Sequence, residues 1–423
     1  MNAAIPQSHG PAHSAGARAW PAEGGARAPY WAFSDPDIYQ REQERIFRGP
    51  VWHYLGVDAE VPEPGCYKTT RIGDSPVILM RDGDGALRAA VNRCAHRGNL
   101  VCREPFGKAD ELYCVYHAWV YDLQGNLKSA AFRRGIRGEG GLPADFRAED
   151  HGLRKLKVDN FCGLVFGSFA SELEPLADWL GEAGDGIRRV LRKPLRVLGY
   201  DTQRIAANWK QYHENPRDSY HANILHAFYG TFGLSRQSQE SGMIISSNGR
   251  HQYFYTKAGT EKETPDYAET ASTLKSHNAA FKLEDRSLLH WVNEFGDGVS
   301  VQILSLYPTF NLHQISNSIA TRQLITNGPD QTDLVWTYLG FADDTESMTE
   351  LRLWQTNMVG SAGLVSMEDA SVCQMIRRAT AGSADAASFM EMGGKDLTSG
   401  GGTKLSERGL RNFWNAYKND LGL

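Results

Sequence analysis

Two periodicities divide the chain. From Val51 to about Asn92, apolar and polar residues alternate in short runs. These runs are Cys66–Ile72, Pro76–Arg81 and Leu87–Asn92, and they are separated by Gly73-Asp74 and Asp82-Gly83-Asp84-Gly85. Period-two alternation broken by such turn residues predicts a small antiparallel β domain. Further strand-like runs at Lys155–Val158 and Cys162–Ser168 close it. Ahead of it the pattern predicts a short helix capped by Ser34 or Asp35, with Pro36 in its first turn and Gly49 at its stop. Ile38, Ile46 and Phe47 of that helix are expected to face the core. Leu173–Leu180 begins helical connecting structure. Strands return at His251–Thr256, Val299–Tyr307, Thr309–Ile315, Ser318–Ile325 and Leu334–Phe341, with Asn327-Gly328 at one turn. The last third is helical over Met348–Val359, Val365–Arg378 and Glu407–Asp420.

Runs of strands followed by runs of helices predict an α+β architecture, not the alternation of a doubly wound sheet. The expected parts are an N-terminal arm over 1–30, a β domain over 38–170 and an α+β domain over 171–423, the second sheet being antiparallel and covered by helices. The arm is rich in Ala, Gly, Pro and Ser, and is expected to be mobile for lack of large apolar residues.

At 423 residues and 41% hydrophobic composition, the chain can bury the cores of two domains. A formal net charge of −5 argues against a nucleic-acid partner. No apolar run reaches the ~18–20 residues of a membrane span, so none is expected. The start of the chain lacks a basic segment followed by an apolar one, so no signal peptide is expected either. Cys66, Cys94, Cys102, Cys114, Cys162 and Cys373 are too scattered for a disulfide framework. A reduced cytosolic setting suits them, with some acting as metal ligands.

Two motifs carry chemistry. Residues 214–226 read Glu-x3-Asp-x2-His-x4-His, with Asp218, His221 and His226. Two imidazoles and a carboxylate from elsewhere make the facial triad of a non-haem Fe(II) site, which leaves positions open for O2 and substrate. On an ideal helix two residues five apart diverge by ~140°, so the two histidines meet only if the helix breaks or bulges between them. Pro216 and Asn223 suit such a break; otherwise these are unrelated histidines on a helix. The second motif is Cys94-x-His96-x17-Cys114-x2-His117. It suits a Rieske [2Fe–2S] centre, in which two thiolates hold one iron and two imidazoles the other, or a tetrahedral zinc. The neighbours Tyr113, Tyr116, Trp119 and Tyr121 are expected to shield it. No internal repeat and no Gly-rich nucleotide loop is present.

With both motifs in this order, the chain resembles the large (α) subunit of the Rieske non-haem iron aromatic-ring-hydroxylating oxygenases. The resemblance runs from about residue 30 to the end. It includes Asn92-Arg93-Cys94-Ala95-His96-Arg97-Gly98, Cys114-Val115-Tyr116-His117-Ala118-Trp119, Asn208-Trp209-Lys210 and Glu214-Asn215 through His221. It implies one [2Fe–2S] cluster and one mononuclear Fe(II) per subunit. Within Gly360-Ser361-Ala362-Gly363 through Glu368-Asp369 it implies Asp369 as third iron ligand, with Glu368 as alternative. It implies that Asp218 links His221 to a Rieske histidine, His117, across a subunit boundary, that Asn215 points at the iron and that Tyr220 gates the site. Electrons would come from NADH through a separate reductase, with or without a ferredoxin. The α subunits would form a trimeric ring, alone or as α3β3 with a small β subunit.

Within the family the likeness is to oxygenases of benzoate-type acids. It implies an aromatic carboxylate substrate: anthranilate, converted to catechol, first, with terephthalate, salicylate and ortho-halobenzoates as rivals. A carboxylate in an apolar pocket needs a cationic anchor. Arg322 in the apolar strands and Arg411 in the aromatic C-terminal helix are the candidates. A Rieske electron-transfer protein with an inert second domain is the reading from another class.

Overall fold

In the computed structural model, residues 18–232, 234–261, 264–274 and 282–423 are described. The predicted arm over 1–17 lies outside them. Strands β1 (His53–Val57), β2 (Cys66–Ile72), β3 (Ser75–Arg81), β4 (Leu87–Val91), β5 (Phe106–Lys108), β9 (Lys155–Phe161) and β10 (Leu164–Ser168) form one sheet, ordered β1-β10-β9-β4-β3-β2-β5. The small strands β6 (Leu112–Tyr113), β7 (Val120–Tyr121) and β8 (Leu127–Ser129) make a separate three-stranded sheet. The second large sheet is antiparallel throughout. Its strands are β11 (Leu195–Ile205), β12 (Ser241–Ile245), β13 (Gln252–Lys257), β14 (Val299–Leu306), β15 (Phe310–Ile315), β16 (Ser318–Thr326) and β17 (Thr332–Phe341), ordered β11-β17-β16-β15-β14-β13-β12. Helices Glu346–Val359, Leu364–Thr380 and Arg408–Leu421 pack around it. The architecture is α+β, as the pattern predicts.

The two sheets share a core. Tyr54 of β1 lies 4.4 Å, centroid to centroid, from Phe310 of β15, and Phe166 of β10 lies 6.1 Å from the same ring. A boundary near residue 170 therefore marks a change of sheet and not a break in the packing. The segment before β1 also belongs to both halves. Asp35 caps the helix Pro36–Glu42 through the Asp37 amide (2.9 Å), and the chain continues in wider turns to Phe47. From that helix the buried Glu42 accepts the Trp209 indole N–H (2.8 Å), Lys210 and the Tyr417 hydroxyl, all from the second half.

The arm prediction fails over 18–28. Trp20 packs within 5.6 Å of Trp414, 5.8 Å of Trp31 and 6.2 Å of Tyr417, and Arg27 pairs with Glu391 at 2.5 Å. A Cβ on Gly25 would lie 2.2 Å from the Arg411 carbonyl oxygen, so only glycine allows this approach. One tryptophan in a small-residue context supplies the apolar anchor that mean composition hides.

Candidate metal centres

The first centre is made by a helix that stops. Asn208 caps the helix Trp209–Glu214, its Oδ1 taking the Lys210 amide (3.1 Å) while Gln211 Oε1 takes the Asn208 amide (2.9 Å). Pro216 then sits in a single tight turn, Asn215–Arg217, and Asp218 leaves it in extended backbone. Short helices restart at Ala222–Leu225 and Ala227–Phe232, with His226 in the joint between them. The expected break is present, and the two imidazoles lie 5.3 Å apart, centroid to centroid.

Helix Leu364–Thr380 brings in the third group. Asp369, buried, places Oδ1 3.2 Å from His226 Nε2 and 3.5 Å from His221 Nε2. Their ligand atoms all lie within 4.8 Å of one another, and among the described residues this trio alone closes up around the volume of a single ion. Each imidazole has a carboxylate on its other nitrogen. His226 Nδ1 meets Glu368 Oε2 at 2.7 Å, and His221 Nδ1 meets Asp218 Oδ2 at 3.5 Å. Carboxylates on Nδ1 fix each ring's tautomer and leave Nε2 to face a metal. Glu368, the alternative ligand, thus lies behind His226 and not in the trio. Asn215 Nδ2 donates to Asp369 Oδ1 (2.9 Å) and lies 3.3 Å from His221 Nε2. Tyr220 touches the site through its backbone amide, which donates to Asp218 Oδ1 (2.8 Å).

The electrostatics suit a cation. Burial pulls the His221 imidazole down, but Asp218 and Asp369 outweigh it and lift its pKa to about 10. Burial pushes the Asp369 carboxyl up, and the two imidazoles more than offset that, holding it far below the ordinary range. The cluster wants positive charge at its centre. A divalent ion supplies that with the two imidazoles neutral.

The second centre is built from two matching loops. Cys94 accepts the Gly98 amide (3.0 Å) and Cys114 the Ala118 amide (3.0 Å). Both Gly98 and Ala118 are left-handed, four residues after their cysteine. The loops close with Cys94 N to Asn99 O (2.8 Å) and Cys114 N to Trp119 O (2.9 Å). Both cysteines are buried, with the Tyr121 hydroxyl 3.2 Å from Cys94 Sγ. The imidazoles of His96 and His117 lie together toward solvent, 4.6 Å apart. Two thiols inside and two imidazoles outside, not drawn around one ion, fit a two-iron cluster better than zinc.

The expected shielding is only half present. Trp119 and Tyr121 are buried and Trp119 stacks on His96 at 5.0 Å, whereas Tyr113 and Tyr116 are more than half exposed. Aromatic identity alone does not tell which side of a tight loop a ring takes.

The Rieske [2Fe-2S] domain family matches residues 51–137, and the ring hydroxylating alpha subunit (catalytic domain) family matches 188–421. The chain belongs to the ring-hydroxylating oxygenase alpha subunits. It is 44% identical over 404 residues to "terephthalate 1,2-dioxygenase, terminal oxygenase component subunit alpha 2" of Comamonas sp, covering 95% of this chain and 97% of that one. It is 41% identical to the anthranilate 1,2-dioxygenase large subunit of Burkholderia cepacia (95% of each chain). It is 38% identical to the salicylate 5-hydroxylase large oxygenase component of Ralstonia sp (93% and 95%). The fold is that of naphthalene 1,2-dioxygenase from Rhodococcus sp. at a TM-score of 0.77 and 22% identity, over 93% and 94% of the two chains. As a member of the family this α subunit is an oxidoreductase of the dioxygenase type with a Rieske [2Fe–2S] cluster and a mononuclear iron. No helix among the described residues is long and apolar enough to cross a membrane.

The two expected substrate anchors part company. Arg411 donates to four backbone carbonyls, those of Met390, Met392, Asp396 and Ser399, at 2.8–3.1 Å. It clamps the segment 390–399 onto the C-terminal helix and is not a substrate anchor. A buried guanidinium needs acceptors, and here the backbone supplies them. Arg322, also buried, has no carboxylate partner among the described residues. It bonds His313 Nδ1 (3.0 and 3.2 Å) and the Tyr212 hydroxyl (3.2 Å), and its guanidinium carbon lies 4.8 Å from the Trp336 ring centroid. Tyr229, which stacks edge-on 5.7 Å from His226, is within electrostatic reach of both Arg322 and Asp369. Arg322 and Asp369 thus act electrostatically on the same buried phenols, Tyr212 and Tyr229. The signal that separates the two arginines, which acceptors surround each, is invisible in the sequence.

Proposed function

We propose that this α subunit hydroxylates an aromatic carboxylate held by Arg322, and that anthranilate is the acid to test first. The observation that carries the reading is a buried guanidinium with no carboxylate partner among the described residues, acting on the same buried Tyr212 and Tyr229 as Asp369 of the His221/His226/Asp369 trio. An unpaired charge in such a place costs several kcal/mol unless an anion arrives. The apolar wall around Tyr229, Ile303, Ile315, Val359 and Val365 suits the ring.

In this reading His221, His226 and Asp369 hold the iron, and Cys94, His96, Cys114 and His117 hold the cluster. Iron and cluster together supply oxygen activation and electrons when bound. Asn215 steadies Asp369, Glu368 orients His226, and Asp218 orients His221 while bridging to the partner subunit's His117. The exposed Leu100, Tyr113, Val115 and Tyr116 around the cluster loops support burial against another copy. A ring of α subunits, with or without β subunits, would provide it. A reductase, with or without a ferredoxin, would bring electrons from NADH.

Terephthalate is the second reading. The Comamonas relative favours it, and so does Lys404, a further buried cation without a carboxylate partner among the described residues, bonded to the Arg236 carbonyl (3.1 Å) and to Thr256 Oγ1 (3.0 Å). A diacid needs two cationic anchors. The test is a single turnover: the reduced holoprotein is given O2 with anthranilate, terephthalate, salicylate or 2-chlorobenzoate, and products are identified. Catechol from anthranilate, with release of CO2 and ammonia, is the expected result. Product from terephthalate alone moves the substrate. Absence of product from all four, with a reducible cluster, refutes the carboxylate reading.

A further inference from the structure

We propose that His313 is a specificity-determining residue whose Nε2–H donates to the substrate carboxylate beside Arg322, forming with it a receptor that selects an anion over a neutral amide. The inference rests on the carboxylate reading above.

Arg322 decides which ring nitrogen of His313 holds the proton. A guanidinium has donors and no acceptor. Arg322 Nε and Nη2 lie 3.2 and 3.0 Å from His313 Nδ1, so Nδ1 must accept and the proton of a neutral ring must be on Nε2. Burial, with Arg322 beside it, holds the His313 imidazole well below its ordinary pKa, which keeps the ring neutral and Nδ1 available. Arg322 therefore locks the tautomer. Nε2 is buried and has no hydrogen-bond partner among the described residues. A buried donor without a protein partner is free to meet a ligand or a water.

Its surroundings point to a carboxylate. Register places Ile303 and Ala320 directly across from His313 on the flanking strands β14 and β16, and the Trp336 ring lies 5.6 Å away. Trp336 Nε1 and the Tyr229 hydroxyl are likewise buried without partners. Arg322, the Nε2–H tautomer of His313 and the indole of Trp336 offer only donors; Tyr229 and Asn311, which faces Arg322 across the strand pair with its amide buried and unpartnered, can also accept. Among the described residues no carboxylate pairs with Arg322. Donors that converge around an unpaired cation suit a carboxylate, while a carboxamide would turn an N–H2 group against them. Each mismatch of that kind costs a desolvated donor its partner.

The test is calorimetric binding of anthranilate, and of terephthalate, each against its amide, to the purified holoprotein. His313→Phe keeps a ring and removes both nitrogens; His313→Gln restores an N–H. The expected result is a loss of about 10–100-fold in acid affinity for the Phe variant, a change below about threefold for the amide, and partial recovery in the Gln variant. Far-UV circular dichroism and the visible cluster absorbance check that each variant folds and loads. Acid affinity within about threefold of the parent in a folded Phe variant, or an equal loss for acid and amide, overturns the proposal. If neither acid binds the parent protein, the carboxylate reading itself fails. That outcome is separable because it appears before any substitution is made.

Discussion

Glu368 offers a sharp test of how the iron trio is held. Its Oε2 lies 2.7 Å from His226 Nδ1, on the far side of the ring from Asp369. A carboxylate in that position orients a ligand histidine, and its loss typically weakens metal binding ~10–100-fold. The Glu368 side chain is 37% exposed, so water can take over part of the bond. The lower end applies: Glu368→Ala should weaken Fe(II) binding about tenfold, or about 1.4 kcal/mol. Glu368→Gln keeps an oxygen that accepts from Nδ1–H and should stay within about threefold. Asp369→Ala, by contrast, removes a ligand and should leave no stable iron. Iron affinity is measured by competition with a chromogenic chelator, with the visible absorbance of the Rieske cluster as a loading control. Parent-like affinity in Glu368→Ala would refute the orienting role. Loss in Glu368→Gln as complete as in Asp369→Ala would make Glu368 a ligand and refute the assignment of the trio.

Three further outcomes are expected. Arg411→Met removes four hydrogen bonds to backbone carbonyls and should lower stability by about 3–5 kcal/mol in thermal unfolding, leaving the anthranilate affinity of the folded protein unchanged. Burial, reinforced by Asp218 and Glu407 against the Trp414 bond and Lys210, lifts the Glu214 carboxyl from 4.5 to about 8. The neutral form is the stable one in the fold, so its contribution is complete below pH 4.5 and is lost as pH rises through about 8. Glu214→Gln should therefore gain about 2–3 kcal/mol relative to the parent at pH 8, read as a higher Tm, and little at pH 4.5; an equal gain at both would exclude titration as the cause. Asp218→Ala should keep the cluster spectrum and abolish carrier-driven turnover, whereas loss of the cluster would make Asp218 structural.

Much of this protein was legible along the chain. The strands β2, β3 and β4, the run from β14 to β17 and the three C-terminal helices follow from periodicity and turn residues, because each element presents a face to a core. The long strand β11 and the short strand β12 were not anticipated, and both are sheet edges. An edge strand pairs on one side only. β11 is exposed or half-buried at ten of its eleven positions, so it has no fully buried face to announce it. The two motifs were readable because their candidate ligands are close in sequence, and backbone geometry over a few residues sets whether they can meet.

The rest was decided in three dimensions. Asp369 lies 143 residues beyond His226, and only the packing of helix Leu364–Thr380 against the broken helix brings them together. Family resemblance could name Asp369, but no local pattern could. Arg322 and Arg411 read alike as arginines in apolar surroundings. They differ because four carbonyls meet one, while an imidazole, a phenol and an indole meet the other. Local periodicity determined which elements form and which loops can hold metal. A buried charge is defined by the acceptors that distant strands and helices bring to it, so which arginine stands ready for an anion was left to the tertiary fold.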